Sequence, residues 1–418
     1  MNFDFLKGIP GALSKYGGPI VKGVASALGK CGKLLAKGTV QAATGIAKTF
    51  EGKFTCPYCM RQYRKSEVLY VCPDCGNVTH PKWYQREPIK CNASSSGGGH
   101  CGGYATIRRC PYCGETLPQS ILETDNLPFS IVGVPSSGKT NYITVMLHEL
   151  SRFSDIRVSL NPVNDEARNT QSENSNKIYE RHVPVEFAAA GAKPQIWMIR
   201  NLLKRTRSKI PTYTFTIFDG AGEDYQNNLD TSSTICRYIQ TSKAVLIALD
   251  PLILDGVKKI VDPDVREASL GDNRTSGEDS VYLVHRLAAY VKSAWGIKTG
   301  KLLDIPVAII LTKFDMLINH RAFAPNALVK NQSMAVDSNG HINTTEFQQV
   351  DSEIRNWLYA IGEGSFVDAV ASNFKEFLFF GVSSFGHAPD AGKNLKNVTP
   401  HRVLDPILWL FARAGFID

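Results

Sequence analysis

The sequence predicts an α/β protein, a mostly parallel sheet with one antiparallel edge strand, preceded by a small cysteine-rich module and an N-terminal amphipathic segment. Three observations carry that expectation. Short apolar runs rich in β-formers alternate with helix-length stretches from residue 123 onward. A glycine-rich phosphate-loop pattern follows directly on the first of those runs. Eight of the ten cysteines fall between residues 51 and 122, mostly in pairs at metal-ligand spacing. With 418 residues, 43% of them hydrophobic, the chain can build one large core and a small satellite, so three parts are expected: 1–50, 51–122 and 123–418.

The first part is set apart by charge. Residues 1–50 hold seven lysines (Lys7, Lys15, Lys22, Lys30, Lys33, Lys37, Lys48) against the single acid Asp4, which accounts for most of the net charge of +8. Leu13, Tyr16, Ile20, Val24, Leu28, Cys31 and Leu35 recur in steps of three or four, the stripe of a cationic amphipathic helix. Nine glycines between Gly8 and Gly45, together with Pro19, weaken that helix, each interior glycine costing ~1 kcal/mol relative to alanine. It therefore needs a surface to fold on, and an anionic lipid headgroup layer or a partner protein would serve. The closely spaced glycines also suit tight helix association and insertion as an oligomer. No run reaches the ~18 to 20 apolar residues of a single-pass span, and no signal-peptide pattern is present. The expected location is cytoplasmic, peripheral at the inner face of a membrane.

The second part reads as two zinc sites. Cys56-Pro57-Tyr58-Cys59, Cys72-Pro73-Asp74-Cys75-Gly76 and Cys110-Pro111-Tyr112-Cys113-Gly114 are knuckles in which proline and glycine turn the backbone so that two thiolates face one metal, and Cys91 and Cys101 complete a set of eight. Eight thiolates satisfy two tetrahedral Zn²⁺ ions in a structural role. Closed four-cysteine sites leave no open position for catalysis, and disulfides do not suit a cytosolic nucleotide switch. Cys56 and Cys59 can join Cys72 and Cys75, or join Cys110 and Cys113 around a nested inner set. His80 or His100 can replace Cys91 or Cys101. Cys31 and Cys236 are left over, and Cys236 reads as a small core residue.

The third part carries the chemistry. Gly133 to Thr140 (Gly-Val-Pro-Ser-Ser-Gly-Lys-Thr) fits the phosphate loop without mismatch, after the buried-strand run ending at Val132. Its backbone N–H groups, including those of Ser136, Ser137 and Gly138, are expected to cradle phosphates, with Lys139 reaching the terminal ones and Thr140 offering its hydroxyl to Mg²⁺. The strand Thr212 to Phe218 runs into Asp219-Gly220-Ala221-Gly222, where Asp219 would hold Mg²⁺ through water and the Gly222 N–H would meet the γ-phosphate. The strand Ile305 to Leu311 ends in Thr312-Lys313-Phe314-Asp315. There a carboxylate can accept from the N1–H and 2-amino group of guanine, a donor pair that adenine lacks. The run 376–382 ends in Ser383-Ser384, expected near the guanine O6. Motifs in this order, each at a strand end, imply a P-loop GTPase-like domain that binds GTP or GDP with Mg²⁺.

Further elements fill the sheet. Helices are expected near 138–152, 279–295, 346–360 and 402–414, and strands near 195–200 and 244–249. The connection 201–209 is too short for a crossover, so the strand before Thr212 should pair with it antiparallel. Stretches 161–182, 262–280 and 330–345 read as loops. The first lies where a Mg²⁺-binding switch threonine should be, with Thr170 as the candidate.

From the cysteine knuckles through Cys110 to Pro118 into the loop ending Ser137-Gly138-Lys139-Thr140, and on to Asp219-Gly220-Ala221-Gly222-Glu223-Asp224, the chain resembles the bacterial zinc-ribbon-containing double-GTPase family. These are translation-factor-related GTPases of conflict and defence gene clusters. The resemblance spans residues ~54–418 and implies GTP binding, Mg²⁺ dependence and action within a multi-gene, antiviral system. In Ras-like enzymes a glutamine that orients the attacking water follows the second motif's glycine; here that residue is Glu223, whose charge repels the γ-phosphate and predicts slow unaided turnover. Two functions follow from the sequence: a GTPase switch or assembly protein, or a scaffold whose fold nucleotide stabilises while the zinc module and tail bind protein partners. Arg61, Arg64, Lys65, Arg86, Arg108 and Arg109 offer a nucleic acid some basic groups, but the near-neutral main domain ranks that partner lower.

Overall fold

The computed structural model describes residues 53–417 apart from 82–84, 86, 94–100, 134–135, 186–193, 203, 205, 207–209, 220–233, 264–279, 338–339 and 391. The cationic segment 1–50 lies outside the described residues, as do His100, Gly222 and Glu223. The main boundary between two compact units falls between Glu123 and Thr124.

The cysteine-rich unit is made of strands of two or three residues. These are β1 (Lys53–Thr55), β2 (Gln62–Arg64), β3 (Leu69–Val71), β4 (Val78–Thr79), β5 (Ile89–Lys90), β6 (Tyr104–Ala105) and β7 (Ile107–Arg109). β1 pairs with β2, β3 lies between β4 and β7, and β5 pairs with β6, all antiparallel. Strands this short bury too little apolar surface to hold a fold alone, and five of the cysteines, Cys56, Cys59, Cys72, Cys91 and Cys110, are themselves buried.

The larger unit follows the alternation of its sequence: β8 (Asp125–Gly133), α1 (Lys139–Arg152), β9 (Val158–Pro162), α2 (Asp165–Ser175), β10 (Gln195–Asn201), β11 (Thr212–Asp219), α3 (Thr234–Thr241), β12 (Ala244–Leu249), α4 (Asp255–Ile260), α5 (Ser280–Ala294), β13 (Leu303–Leu311), α6 (Thr344–Ala360), α7 (Gly364–Ala371), β14 (Phe374–Gly381) and α8 (Asp405–Arg413). One seven-stranded sheet runs β14-β13-β12-β8-β11-β10-β9. It is parallel except at β10, which is antiparallel to both neighbours. This is the P-loop GTPase-like α/β class read from the sequence, with cysteine clusters ahead of it.

Both faces of the sheet are covered, which is why its central strands read as unbroken apolar runs. Val245, Ile247, Val307, Ile309 and Phe379 turn to one hydrophobic core with residues of α5, α6 and α7. Leu246, Ala308, Ile310, Phe129, Ile131 and Phe380 turn to a second core with α1 and α8. In the second, Phe129, Phe215 and Phe411 meet at ring-centroid separations of 5.3 to 5.7 Å, in edge-on and tilted geometry.

Two expectations are corrected. The antiparallel strand is second from the edge, because β9 pairs outside it through Val158 to Pro162. The stretch 161–182 is not a loop: it holds the end of β9, then α2, then a π-helical turn over Asn176–Glu180. α2 buries only Ala167 and Asn174, so no apolar periodicity betrays it. The side chain of Asn164 caps it by accepting from the Ala167 N–H at 3.1 Å. Thr170 sits within this helix, its hydroxyl donating to Glu166 Oε1 at 3.2 Å. Among the described residues no helix is long and apolar enough to cross a membrane.

Candidate nucleotide and metal sites

The phosphate loop grows out of the central strand. β8 has β11 on one side and β12 on the other, so its carboxyl end opens where the sheet's connections diverge, the usual ligand crevice of an α/β sheet. Gly133 closes β8 against β12 so tightly that a Cβ there would lie 2.3 Å from the Ala248 carbonyl oxygen. Gly138 is left-handed (φ +77°) and so is Ser136 (φ +63°). α1 then starts at Lys139 with no acidic residue in its first turn, leaving its positive end available to an anion. Lys139 is 7% exposed and its ammonium donates to the Gly133 carbonyl at 3.0 Å, so it curls back over the loop. Thr140 is half-buried beside it. The Ser137 hydroxyl is buried without a hydrogen-bond partner among the described residues.

The third motif is tied to that loop. The Thr312 N–H donates to the Leu249 carbonyl at 3.0 Å, and its hydroxyl lies 2.8 Å from the Ser137 carbonyl oxygen and 3.1 Å from that of Leu249. Thr312 thus bridges the ends of β12 and β13 to the phosphate loop. Lys313 is left-handed (φ +51°), and its ammonium pairs with Asp250 at 2.6 Å, just past the end of β12. The Phe314 ring is fully buried and its N–H donates to the Val382 carbonyl, which fixes the next residue beside the loop after β14. There the Ser383 hydroxyl donates to Asp315 Oδ1 at 2.6 Å and accepts from the Gly386 N–H at 2.8 Å. Ser384 follows, half-buried.

Of the residues expected at the nucleotide, the structure brings Gly133, Ser136, Ser137, Gly138, Lys139, Thr140, Thr312, Lys313, Asp315, Ser383 and Ser384 to the carboxyl edge of one sheet. The backbone of Asp219 ends β11 in register with Ile131 of β8, two residues before Gly133. Sequence reasoning missed Asp250, although an acidic residue directly after a fully apolar strand was a signal that could have found it. It also missed His401, which forms an isolated antiparallel bridge with Ser383. Burial holds the His401 imidazole below the usual histidine range, with the bond to the Val329 carbonyl and the Asp315 carboxylate working the other way.

The cysteines form two sets of four. Cys56, Cys59, Cys110 and Cys113 converge in one, and Cys72, Cys75, Cys91 and Cys101 in the other, each with its sulfurs within 4.8 Å of one another. This is the nested pairing, and His80 belongs to neither set. Sulfur separations of 3.8 Å for Cys56–Cys113, 3.8 Å for Cys72–Cys101 and 3.5 Å for Cys75–Cys91 match the edge of about 3.8 Å that follows from Zn–S bonds of ~2.3 Å in a tetrahedron. Backbone N–H groups point at sulfur, that of Tyr112 at Cys110 and that of Ala93 at Cys91, both 3.4 Å. The residue after each knuckle is left-handed, Gly76 and Gly114 in two of them and Met60 in the third. The donor set and its geometry fit structural zinc.

No family model matches the chain. A curated relative, SaeC of Mycolicibacterium smegmatis, is named for a proposed role as an ESX-1 scaffolding and assembly protein. It is 25% identical over 338 residues, 74% of this chain and 81% of its own length. Among solved structures, the GTPase-like domain of Saccharomyces cerevisiae Ski7 bound to GTP aligns at 12% identity and a TM-score of 0.31, over 70% of this chain and 50% of that one. Sup35 complexed with GDP aligns at 9% identity and a TM-score of 0.22, over 67% and 43%. The chain thus spans half or less of the length of those structures.

Proposed function

We propose that this protein binds guanine nucleotide at the carboxyl edge of its large sheet and uses the nucleotide state to control assembly with protein partners. The observation that carries the reading is the chain Ser383–Asp315 with Thr312–Ser137: a carboxylate held at 2.6 Å by a buried hydroxyl, on a motif whose first residue is hydrogen-bonded to the phosphate loop itself. A base and its phosphates are thereby read by one connected element. In this reading Asp315 accepts from the guanine N1–H and 2-amino group, and the Lys313 stem, fixed by Asp250, lies along the base. Ser137, Gly138 and Lys139 surround the phosphates. The buried Ser137 hydroxyl, without a hydrogen-bond partner among the described residues, is the kind of group a bound phosphate would satisfy.

Thr140 and Asp219 are the residues that would hold Mg²⁺, which when bound neutralises charge on the phosphates. Gly222 and Glu223 enter on sequence alone. Glu223, in place of a neutral amide, supports slow hydrolysis that a partner, self-assembly or a lipid surface would accelerate. The two cysteine sets hold zinc and keep the ribbon unit folded as a partner-binding module. Residues 1–50 supply contact with an anionic membrane at its inner face. A role in a bacterial defence or conflict system, implied by the family resemblance, suits a switch of this kind.

A second reading, a scaffold that nucleotide merely stabilises, is favoured by the relative named for scaffolding and assembly. Binding and turnover of GTP and ATP by the full-length protein, with and without anionic liposomes and with Lys139→Ala as control, tests both. Selective GTP turnover lost in Lys139→Ala supports the switch. Tight GTP binding with no turnover under any condition supports the scaffold, and equal affinity for ATP would refute the guanine reading.

A further inference from the structure

Asp315 is oriented by Ser383, and Ser383 is in turn held by a segment remote in sequence. After β14 the chain leaves the sheet and returns at His401, which clasps Ser383 by two backbone hydrogen bonds, Ser383 N–H to the His401 carbonyl at 3.1 Å and His401 N–H to the Ser383 carbonyl at 2.8 Å. The next residue, Arg402, adopts a left-handed backbone (φ +52°) that an arginine seldom takes, and it is 4% exposed. Its guanidinium donates in four directions. Nε reaches the Asn331 carbonyl at 3.0 Å, Nη2 the Leu328 carbonyl at 2.9 Å and Glu346 Oε1 at 2.6 Å, and Nη1 Asp405 Oδ2 at 2.6 Å. The His401 ring is anchored as well, Nε2 lying 2.8 Å from the Val329 carbonyl oxygen.

A buried arginine shared by two carboxylates is a poor way to gain stability, since apolar residues of similar volume commonly do as well. What its planar fork supplies is geometric. It fixes the strained turn at 401–402 against the 3-10 turn Leu328–Lys330 and its cap Asn331, the start of α6 at Glu346 and the start of α8 at Asp405. That turn is the part of the chain that clasps Ser383.

We propose that Arg402, gripped by Glu346 and Asp405, is a positioning residue for base recognition, acting through His401 and Ser383 to hold the Asp315 carboxylate in its reading orientation. The inference rests on the assignment of Asp315 to guanine. It is tested on the full-length protein by measuring affinities for GTP, ATP and inorganic tripolyphosphate in the parent, Asp315→Asn, Arg402→Lys and the milder, isosteric Glu346→Gln. Arg402→Lys should weaken GTP about tenfold while ATP and tripolyphosphate stay within about twofold, and Glu346→Gln should weaken GTP about threefold with the same selectivity. If Arg402→Lys does not fold, Glu346→Gln decides alone. Unchanged GTP affinity in a folded variant, or an equal fall for all three ligands, overturns the inference while a guanine preference abolished by Asp315→Asn still stands. A parent with no preference for GTP over ATP overturns the guanine assignment, and the inference with it.

Discussion

Replacing Asp315 by asparagine exchanges one oxygen of the carboxylate proposed to read the base for an amide and leaves the shape of the site intact. Ser383 donates to Oδ1, so that oxygen can stay where it is held while the substituted atom is the one that turns from acceptor to donor. Toward guanine, a charge-assisted hydrogen bond of ~1.5 to 3 kcal/mol is lost, and the 2-amino group then faces a donor with its own bond unmade, at a further cost of ~1 to 3 kcal/mol. The sum, about 2.5 to 6 kcal/mol, corresponds to a loss of about two to four powers of ten in GTP affinity at ~1.4 kcal/mol per tenfold. Xanthine carries an oxygen in place of the 2-amino group, and the new amide can donate to it. Competition of GTP, xanthosine triphosphate and ATP against a fluorescent guanosine nucleotide should therefore show Asp315→Asn losing GTP, gaining xanthosine triphosphate and leaving ATP as it was. Retention of GTP within about threefold, with no gain for the xanthine nucleotide, would falsify the claim that this carboxylate reads the base.

Three further outcomes test the scaffold around the site. Metal analysis should return two zinc ions per chain and Cys101→Ser one, because the two cysteine sets share no ligand; loss of both ions in that variant would refute independent sites. Gly381→Ala should destabilise the large unit by ~1 to 3 kcal/mol in a denaturant melt, since its Cβ would stand 2.7 Å from the buried Phe314 ring, next to Asp315; an unchanged midpoint would show that the ring can give way. Burial pushes the Asp405 carboxyl up to about 6 against the opposing pull of Arg402. A carboxyl raised in the folded state above its unfolded value contributes stability when protonated and loses it as pH rises between the two values. Asp405→Asn should thus gain on the parent by about 2 kcal/mol in denaturant melts taken from pH 4 to pH 6.5, and a constant difference would contradict the raised value.

Much of the candidate nucleotide site was legible because its chemistry is local. The phosphate loop, Asp219, the Thr312–Asp315 motif and Ser383 all lie at the ends of apolar strands, and in a parallel sheet those ends gather at one edge, so linear order translates into proximity. The cysteine count was legible for the same reason, whereas its pairing was not. Both pairings satisfy the spacing of the knuckles, and only the tertiary fold decides that Cys56 and Cys59 meet Cys110 and Cys113 rather than Cys72 and Cys75. β9 and α2 escaped because one is a short edge strand and the other is nearly all polar, stabilised by its Asn164 cap rather than by an apolar stripe.

The residues that orient the site are illegible for a deeper physical reason. Asp250, His401 and Arg402 touch no expected ligand, and they act on groups that do only because distant loops meet. Arg402 follows Ser383 by nineteen positions and reaches Glu346 across fifty-six. Nothing in the local sequence around Arg402 distinguishes it from a surface arginine, and the φ of +52° that makes its geometry unusual leaves no mark on residue type. Local rules therefore identify the groups that would contact a nucleotide, while the precision with which those groups are held is a tertiary property. For that reason a substitution at Glu346 or Arg402 is a sharper test of the base site than another change within the motifs themselves.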